Sequence, residues 1–155
     1  MEEANVFTKE KIIETLSTVP YATLVTKGQR GMNSRTMTFG YIPNDKIFFL
    51  THKGTTKLNE INFSKEGLIH LSILTEEISY SLDISIAGTF EFILPNNPIY
   101  QTGINAVAKK KPQVKDMMAS EGSENNYDLI ELHITRLEGW NYIQVLSGQP
   151  KTVVI

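Results

Sequence analysis

The fold is decided by residues 32–61, MNSRTMTFGYIPNDKIFFLTHKGTTKLNEI. This stretch divides into a strand (MNSRTMTFGY), a turn (IPND), a second strand (KIFFLT), a loop (HKG) and the beginning of a helix (TTKLNEI). Ile47, Phe48 and Phe49 favour β structure, and Asn44-Asp45 is a typical turn sequence. The two strands are therefore predicted to form a hairpin.

The first of these strands carries an unusual mixture of side chains. Because alternate side chains of a strand face opposite ways, its residues divide into two sets. One face carries Arg35, Met37, Phe39 and Tyr41, and the other carries Ser34, Thr36, Thr38 and Gly40. A strand that mixes apolar and small hydroxyl residues in this way is suited to cover a planar aromatic ligand with its backbone.

The helix that follows the hairpin is predicted to begin at an anion-binding site. Thr55 is a suitable N-cap, and Leu58 and Ile61 continue at helical spacing. The first turn of a helix presents free N–H groups and about half a positive charge. Around it the sequence brings together the residue types that hold a phosphate, namely Arg35, Thr51, Thr55, Thr56 and Lys57. The same spacing is equally typical of a capped surface helix with solvated cations.

The composition limits the classes of function. A chain of 155 residues, of which 41% are apolar, has the size of one domain with its own core, so residues 1–155 are predicted to be a single domain. With 15 basic and 17 acidic residues the net charge is −2, which disfavours a nucleic-acid partner. The absence of cysteine excludes disulfides and thiolate chemistry. No apolar run has the length of a signal or a membrane span, so we expect a soluble cytoplasmic protein without a membrane partner.

The remaining sequence predicts further strands with a few helices between them. Predicted strands cover residues 21–27, 68–74, 81–94, 129–137 and 140–146. A change of phase at Ala87-Gly88 predicts a bulge or a tight bend there. Predicted helices cover residues 9–17, capped by Thr8, and a segment that begins at Asn97-Pro98. Many strands in one small chain indicate a closed or nearly closed barrel.

Other polar residues carry weaker signals. The three lysines at 109–111 precede Pro112 and are predicted to be the solvated end of a helix, with a nucleic acid or a second phosphate as the alternative contact. His52, His70 and His133 are far apart, with no carboxylate or histidine at metal-ligand spacing, so no metal site is predicted. His52 is predicted to be an exposed loop residue. No residue has the setting of a catalytic acid, base or nucleophile, and the catalytic residues stay unassigned.

The order of these segments resembles the pyridoxamine 5′-phosphate oxidase-like FMN-binding split barrels, and is most similar to their small general-stress-protein subgroup. The resemblance extends from about Ile12 to Gln144. Its most specific parts are SRTMTF and FLTHKGTTK at the family's spacing, with further similarity in ATLVT, LIHLSIL, ISIAGTFEF and LEGW. The resemblance implies a mainly β fold, namely a six-stranded antiparallel split β-barrel with peripheral helices. It also implies a homodimer with the cofactor between the subunits.

The resemblance assigns cofactor contacts to individual residues. Arg35 would hold the phosphate of FMN, and Thr55, Thr56 and Lys57 would complete the phosphate cradle. The flavin would be lined by Thr36, Met37, Thr38, Phe39 and Gly40, with Leu50 and Thr51 continuing this wall and Trp140 near the cofactor on the last strands. FMN is the implied cofactor, and FAD and haem are the alternatives.

The chain departs from the oxidases of that family at several positions. The oxidases have basic residues where this chain has Gly40 and Thr56, so its phosphate cradle carries less positive charge. Asp83 stands where they have a glutamine that meets the flavin, and an inward-pointing acid would repel an anionic reduced flavin. The Tyr-x3-Arg-x3-Ser helix that binds the substrate phosphate is absent, and the substrate residues beyond Trp140 are replaced by Leu146, Gly148 and Pro150. The protein is therefore not expected to oxidise pyridoxamine phosphate.

Two classes of function follow from the sequence. The first is a flavoprotein oxidoreductase that uses FMN for hydride or electron transfer, with a nicotinamide or another electron donor and an unknown substrate. The second is a non-catalytic stress protein that holds flavin or haem. A nucleic-acid module that stacks bases on Phe39, Tyr41 and Phe49 is a third alternative, which the slightly acidic charge disfavours.

Overall fold

The computed structural model describes residues 7–43, 46–120 and 122–155, and the predicted turn at Asn44-Asp45 lies outside them. The described residues form a mainly β fold with peripheral helices, as predicted. The strands are β1 (Tyr21–Gly28), β2 (Gly31–Thr38), β3 (Gly40–Ile42), β4 (Lys46–His52), β5 (Glu66–Ile73), β6 (Leu82–Ile93), β7 (Tyr127–Asn141) and β8 (Thr152–Val153). The helices are α1 (Lys9–Thr18), α2 (Thr56–Phe63), α3 (Tyr100–Lys110), α4 (Gln113–Ala119) and α5 (Tyr142–Leu146).

All the strands belong to one antiparallel sheet in the order β2-β1-β5-β6-β7-β4-β3, with β8 paired to β7. The predicted number of six strands is wrong, because the sheet has eight: residues 32–41 are divided between β2 and β3, and β8 adds a short strand. The two edge strands, β2 and β3, are consecutive in the chain and are joined only through Phe39. The sheet therefore curls round on itself, but its hydrogen-bonded path stays open, which agrees with the predicted split barrel and, of the predicted closed or nearly closed barrel, with the second form.

The predicted hairpin is confirmed for its second half only. Gly40 pairs with Phe48 in the short β3–β4 ladder, whereas β2 pairs along its whole length with β1. The break falls at Phe39, whose N–H donates to the Pro20 carbonyl (3.3 Å) and whose side chain is fully buried. Burying this ring contributes roughly 1.5–3 kcal/mol and fixes the point at which the two halves diverge.

The last strand pair was predicted wrongly. Residues 129–141 belong to one continuous strand, β7, and Glu138 and Gly139 continue its ladder with β6. Gly139 is required by close packing and not by a turn, since a Cβ there would lie 2.9 Å from the Phe7 ring. The segment predicted as a strand to 146 is helix α5, which begins with a capping box between Asn141 and Gln144.

Other predicted boundaries are confirmed or shifted slightly. Thr8 caps α1 by accepting from the Lys11 N–H, and the predicted bulge at Ala87-Gly88 is present, with the unpaired residue on β7. Helix α3 begins two residues later than predicted, at Tyr100 and not at Pro98, because Asn97 forms a turn in which its side chain accepts from the Ile99 N–H (3.0 Å). None of the helices in the described ranges is long and apolar enough to cross a membrane.

Candidate functional site

The sheet has a split between β2 and β4. Strand β2 pairs with β1 on one side only, and β3 covers β4 only as far as Phe48. On the β2 side of Phe39, strands β2 and β4 therefore diverge. Each presents an edge of backbone N–H and C=O groups that no neighbouring strand in the described chain pairs. We call the space between these edges the split. It is bounded by α3 and α4 at one end and by α2 at the other.

The end of the split beneath α3 and α4 contains a cavity of about 300 Å³. Four of the predicted flavin contacts line it, namely Thr36, Met37 and Thr38 from β2 and Leu50 from β4. The helices and β1 add Tyr21, Val107, Lys111, Val114 and Met117. This volume lies at the lower end of the range for pockets that hold small organic ligands.

The other end of the split has the groups expected of an anion site. Lys57, in the first turn of α2, donates to the hydroxyl of buried Thr51 at the end of β4 (2.6 Å). Thr55 precedes the helix with the backbone of an N-cap, but its side chain accepts no cap hydrogen bond, and its buried Oγ1 has no partner within the described structure. Buried hydroxyl groups are normally paired, so an unpaired one at a helix N-terminus is a donor that an anion at this position would satisfy.

Arg35 reaches this end of the split but is held by a carboxylate. Its two terminal nitrogens donate to Thr26 Oγ1 (2.9 Å) and Glu60 Oε1 (3.0 Å). Glu60 is buried, and its Oε2 accepts from Thr26 and from the Asn33 amide, each at 2.9 Å. Burial raises the pKa of Glu60, but the hydrogen bonds from Asn33 and Thr26 and the charge of Arg35 together bring the pKa below its ordinary value.

Lys57 is the uncompensated charge of this group. Burial and then the nearby Arg35 guanidinium lower the pKa of Lys57. Among the described residues it has no carboxylate partner, whereas Arg35 has Glu60. Two cations share this end of the split with one carboxylate, and an anion there would relieve their repulsion.

Three predicted contacts lie elsewhere. Phe39 is in the core, where the Lys110 ammonium lies 3.3 Å from its ring centroid. A Cβ on Gly40 would lie 2.6 Å from the backbone of Val107 in α3, so a side chain has no room there. Trp140 faces outward on β7 beside Asp83, on the opposite face of the sheet from Arg35. Trp140 is not among the residues that line the cavity of the split.

Three solved structures show what the fold is similar to. A candidate 5-nitroimidazole antibiotic resistance protein from Bacteroides thetaiotaomicron superposes with a TM-score of 0.72 at 16% sequence identity, over 85% of this chain and 82% of that one. The haem storage protein HutZ from Vibrio cholerae gives 0.65 at 11% identity, over 81% and 89%. A protein of the pyridoxinephosphate oxidase family from Clostridium acetobutylicum, related to general stress protein 26, gives 0.62 at 9% identity, over 93% and 89%. No family model matches the sequence, and neither does any curated protein.

The chain has the pyridoxamine 5′-phosphate oxidase-like split-barrel fold. In this split barrel, two polar residues near the predicted site were missed by the sequence analysis. Glu60 was read only as part of the helix, and Lys111 as part of a solvated helix end, although it lines the cavity of the split. Both roles depend on how α2 and α3 pack on the sheet, which helical spacing does not reveal.

The prediction that the lysines at 109–111 form a solvated helix end is wrong for the middle one, Lys110. Lys110 is half-buried, and its ammonium donates to the carbonyl of Leu16 in α1. Burial, and then the charge of Lys109, lower the pKa of Lys110 to about 7. This lysine therefore joins α3 to α1 and does not end in solvent.

Two further clusters of polar residues lie on the sheet of the split barrel. His70 Nε2 lies 2.9 Å from Asp83 Oδ1 on the outer face, so Asp83 points away from the split and is next to a base. The second cluster is formed by Glu91, Glu131 and His133 of β6 and β7. Spacing along the sequence does not reveal this cluster. Glu131 and His133 lie two residues apart on one strand and share a face, but Glu91 joins them only through the β6–β7 pairing. His52 is exposed, as predicted, and lies against the Tyr127 ring.

Proposed function

We propose that the chain binds FMN in the split and acts as a flavoprotein oxidoreductase. The observation that carries the proposal is that two unsatisfied groups lie together at the start of α2. One is the Lys57 ammonium, which has no carboxylate partner, and the other is the Thr55 hydroxyl, which has no hydrogen-bond partner among the described residues. A phosphate monoester has the charge and the acceptor oxygens that both groups lack. Thr56 begins the same helix turn with an exposed side chain and would complete the cradle.

The remainder of the cofactor fits the other end of the split. The backbone edges of β2 and β4 and the side chains of Thr36, Met37, Thr38 and Leu50 offer hydrogen bonds and an apolar surface to a planar ring. Lys111 adds a cation to this cavity, which favours a ring that gains negative charge on reduction. FMN, when bound, supplies hydride or electron transfer, and the residues of the split hold and orient it.

We also propose that two copies of the chain form a homodimer. Trp140 and Asp83 face outward, and Tyr21 and Met32 on the outer side of β1 and β2 expose 59% and 69% of their surface. A second copy that covered this face would bury these side chains and place its own Trp140 towards the split. Sedimentation of the purified protein tests this point, and a monomer at micromolar concentration would contradict it.

The binding site is tested by comparing FMN with riboflavin, which lacks the phosphate. Lys57→Met should weaken FMN binding by about 10- to 100-fold, since a charge-assisted hydrogen bond contributes roughly 1.5–3 kcal/mol, and Lys57→Glu should weaken it further. Riboflavin affinity should change little in Lys57→Met. Lys9→Met, an exposed lysine on α1, is the matched control. Equal losses for both ligands, or no loss in Lys57→Glu, would remove the phosphate from this position.

A non-catalytic flavin-binding or haem-binding protein is the second candidate, and the solved haem storage protein with the same fold favours keeping it. No histidine lines the described cavity of the split, so an axial ligand for haem would have to come from elsewhere. Visible spectra separate the candidates. Bleaching of bound flavin by a nicotinamide donor, with recovery in air, supports the oxidoreductase. Bound flavin that no donor reduces supports a carrier, and a Soret band indicates haem.

A further inference from the structure

A cluster of three ligand-type side chains lies on the β6–β7 ladder. Glu91 of β6 pairs directly with Glu131 of β7, and His133 lies two residues further along β7 on the same face. One ligand atom from each residue lies within 4.8 Å of the others. His133 Nε2 is 2.5 Å from Glu91 Oε2, and His133 Nδ1 is 2.6 Å from Glu131 Oε2.

Glu131 is the unusual member of the cluster. Its side chain is 1% exposed, and only its Oε1 has a clear partner, the Lys46 ammonium at 3.4 Å. Its Oε2 makes no hydrogen bond within the described structure, although His133 Nδ1 lies 2.6 Å from it. Buried carboxylate oxygens are normally hydrogen-bonded, and one without a hydrogen bond that lies beside two other ligand groups is a position that a bound cation would satisfy.

The chemistry of the three groups points to a particular class of ion. One imidazole nitrogen and two carboxylate oxygens suit a divalent transition metal, whereas Ca²⁺ and Mg²⁺ prefer oxygen ligands alone. Glu91 and His133 expose 55% and 44% of their side chains, so water has access to complete the coordination. Lys46 neutralises part of the carboxylate charge through Oε1 and leaves Oε2 available.

We propose that Glu91, Glu131 and His133 form a binding site for a divalent transition-metal ion such as Zn²⁺. The ion joins β6 to β7 next to the bulge at Ala87-Gly88 and replaces the close contacts between the three side chains. It has no part in the flavin chemistry proposed for the split, because none of Glu91, Glu131 and His133 lines the cavity of the split.

The test uses the full chain, freed of metal by a chelator and without flavin, so that its result does not depend on the function of the split. Calorimetric titration with Zn²⁺ should show one ion per chain, and Co²⁺ should give the visible absorption of a bound nitrogen–oxygen site. Glu91→Gln and His133→Ala should each weaken binding by more than about tenfold, since loss of even a supporting partner of a metal ligand has that effect. His70→Ala is the matched control, because His70 is also a half-buried strand histidine beside a carboxylate, and should leave binding unchanged.

Three results would overturn the proposal: no binding to the unaltered chain, unchanged binding in both Glu91→Gln and His133→Ala, or an equal loss in His70→Ala. Glu91 is exposed, so its replacement should leave the fold intact, as circular dichroism will verify.

Discussion

Replacing Glu60 by Gln should lower the stability of the fold while strengthening FMN binding. Glu60 accepts hydrogen bonds from Arg35, Thr26 and Asn33 at the α2 end of the split. The substituted side chain would keep the shape of the original but lose its charge, and its amide group would face hydrogen-bond donors. Arg35 would then be free of its carboxylate and available to a phosphate.

The magnitudes follow from the three hydrogen bonds. A bond to a charged group contributes roughly 1.5–3 kcal/mol and a neutral one roughly 0.5–1.5, so each bond loses about 1 kcal/mol. Because the Arg35 side chain is 21% exposed, solvent reduces this sum, and we expect a loss of about 2–3 kcal/mol. For a chain of this length that lowers the Tm by about 5–10 °C. FMN affinity should rise about tenfold, equivalent to about 1.4 kcal/mol.

The assay combines urea unfolding with equilibrium titration of FMN, using Glu66→Gln, an exposed glutamate on β5, as the control. The pH dependence gives an independent check. Since the folded-state pKa of Glu60 lies below its ordinary value, its contribution is present above about pH 4.3 and is lost as the pH falls through the folded-state pKa. The unfolding curves of the wild type and Glu60→Gln should converge in acid. Weaker FMN binding in Glu60→Gln would refute the reasoning, because it would mean that Glu60 orients Arg35 for the phosphate.

Two further predictions concern α3. The folded state releases the Lys110 proton near pH 7 and the unfolded chain only near pH 10.4, so wild-type stability should rise with pH between these values, and Lys110→Met should abolish this rise in urea unfolding at pH 6.5 and 9. Gly40→Ala should destabilise the fold by about 1–3 kcal/mol, because the new Cβ would overlap the Val107 backbone. Exposed Ser34→Ala on β2 is its control, and equal stability of the two variants would contradict the close approach of α3.

The parts of the fold that were predictable are those with a local cause. The N-caps at Thr8 and Thr55 and the bulge at Ala87-Gly88 are each encoded within a few residues, and all three were located from the sequence. The break at Phe39 was missed because both halves of the segment have the same β pattern, and only the choice of partner strand separates them. Gly139 was read as a turn because glycine at a close contact looks the same in sequence as glycine at a turn.

The site shows the same division between local and distant causes. Lys57 and Thr55 belong to one helix turn, so local spacing was sufficient to predict that they lie together. Glu60 lies on the same helix, but its role comes from Thr26 and Asn33, about 30 residues earlier, and depends on how α2 packs against β1 and β2. Residues that meet only through the sheet were outside the reach of spacing arguments.

If FMN binds in the split as proposed, its phosphate dianion must be held with fewer basic residues than the oxidases have. The backbone of α3 fills the space that a side chain at Gly40 would need, so the basic residue of the oxidases has no room there. The same helix delivers the Lys111 side chain to the cavity just beyond its last turn. The cation of the oxidases at Gly40 is thus absent, and Lys111 places a cation at the proposed ring end. Lys57 is a cation at the proposed phosphate end without a carboxylate partner among the described residues, whereas Arg35 is paired with Glu60. Phosphate recognition in this chain should therefore depend on one lysine and one helix N-terminus, which makes Lys57 the most sensitive position of the site.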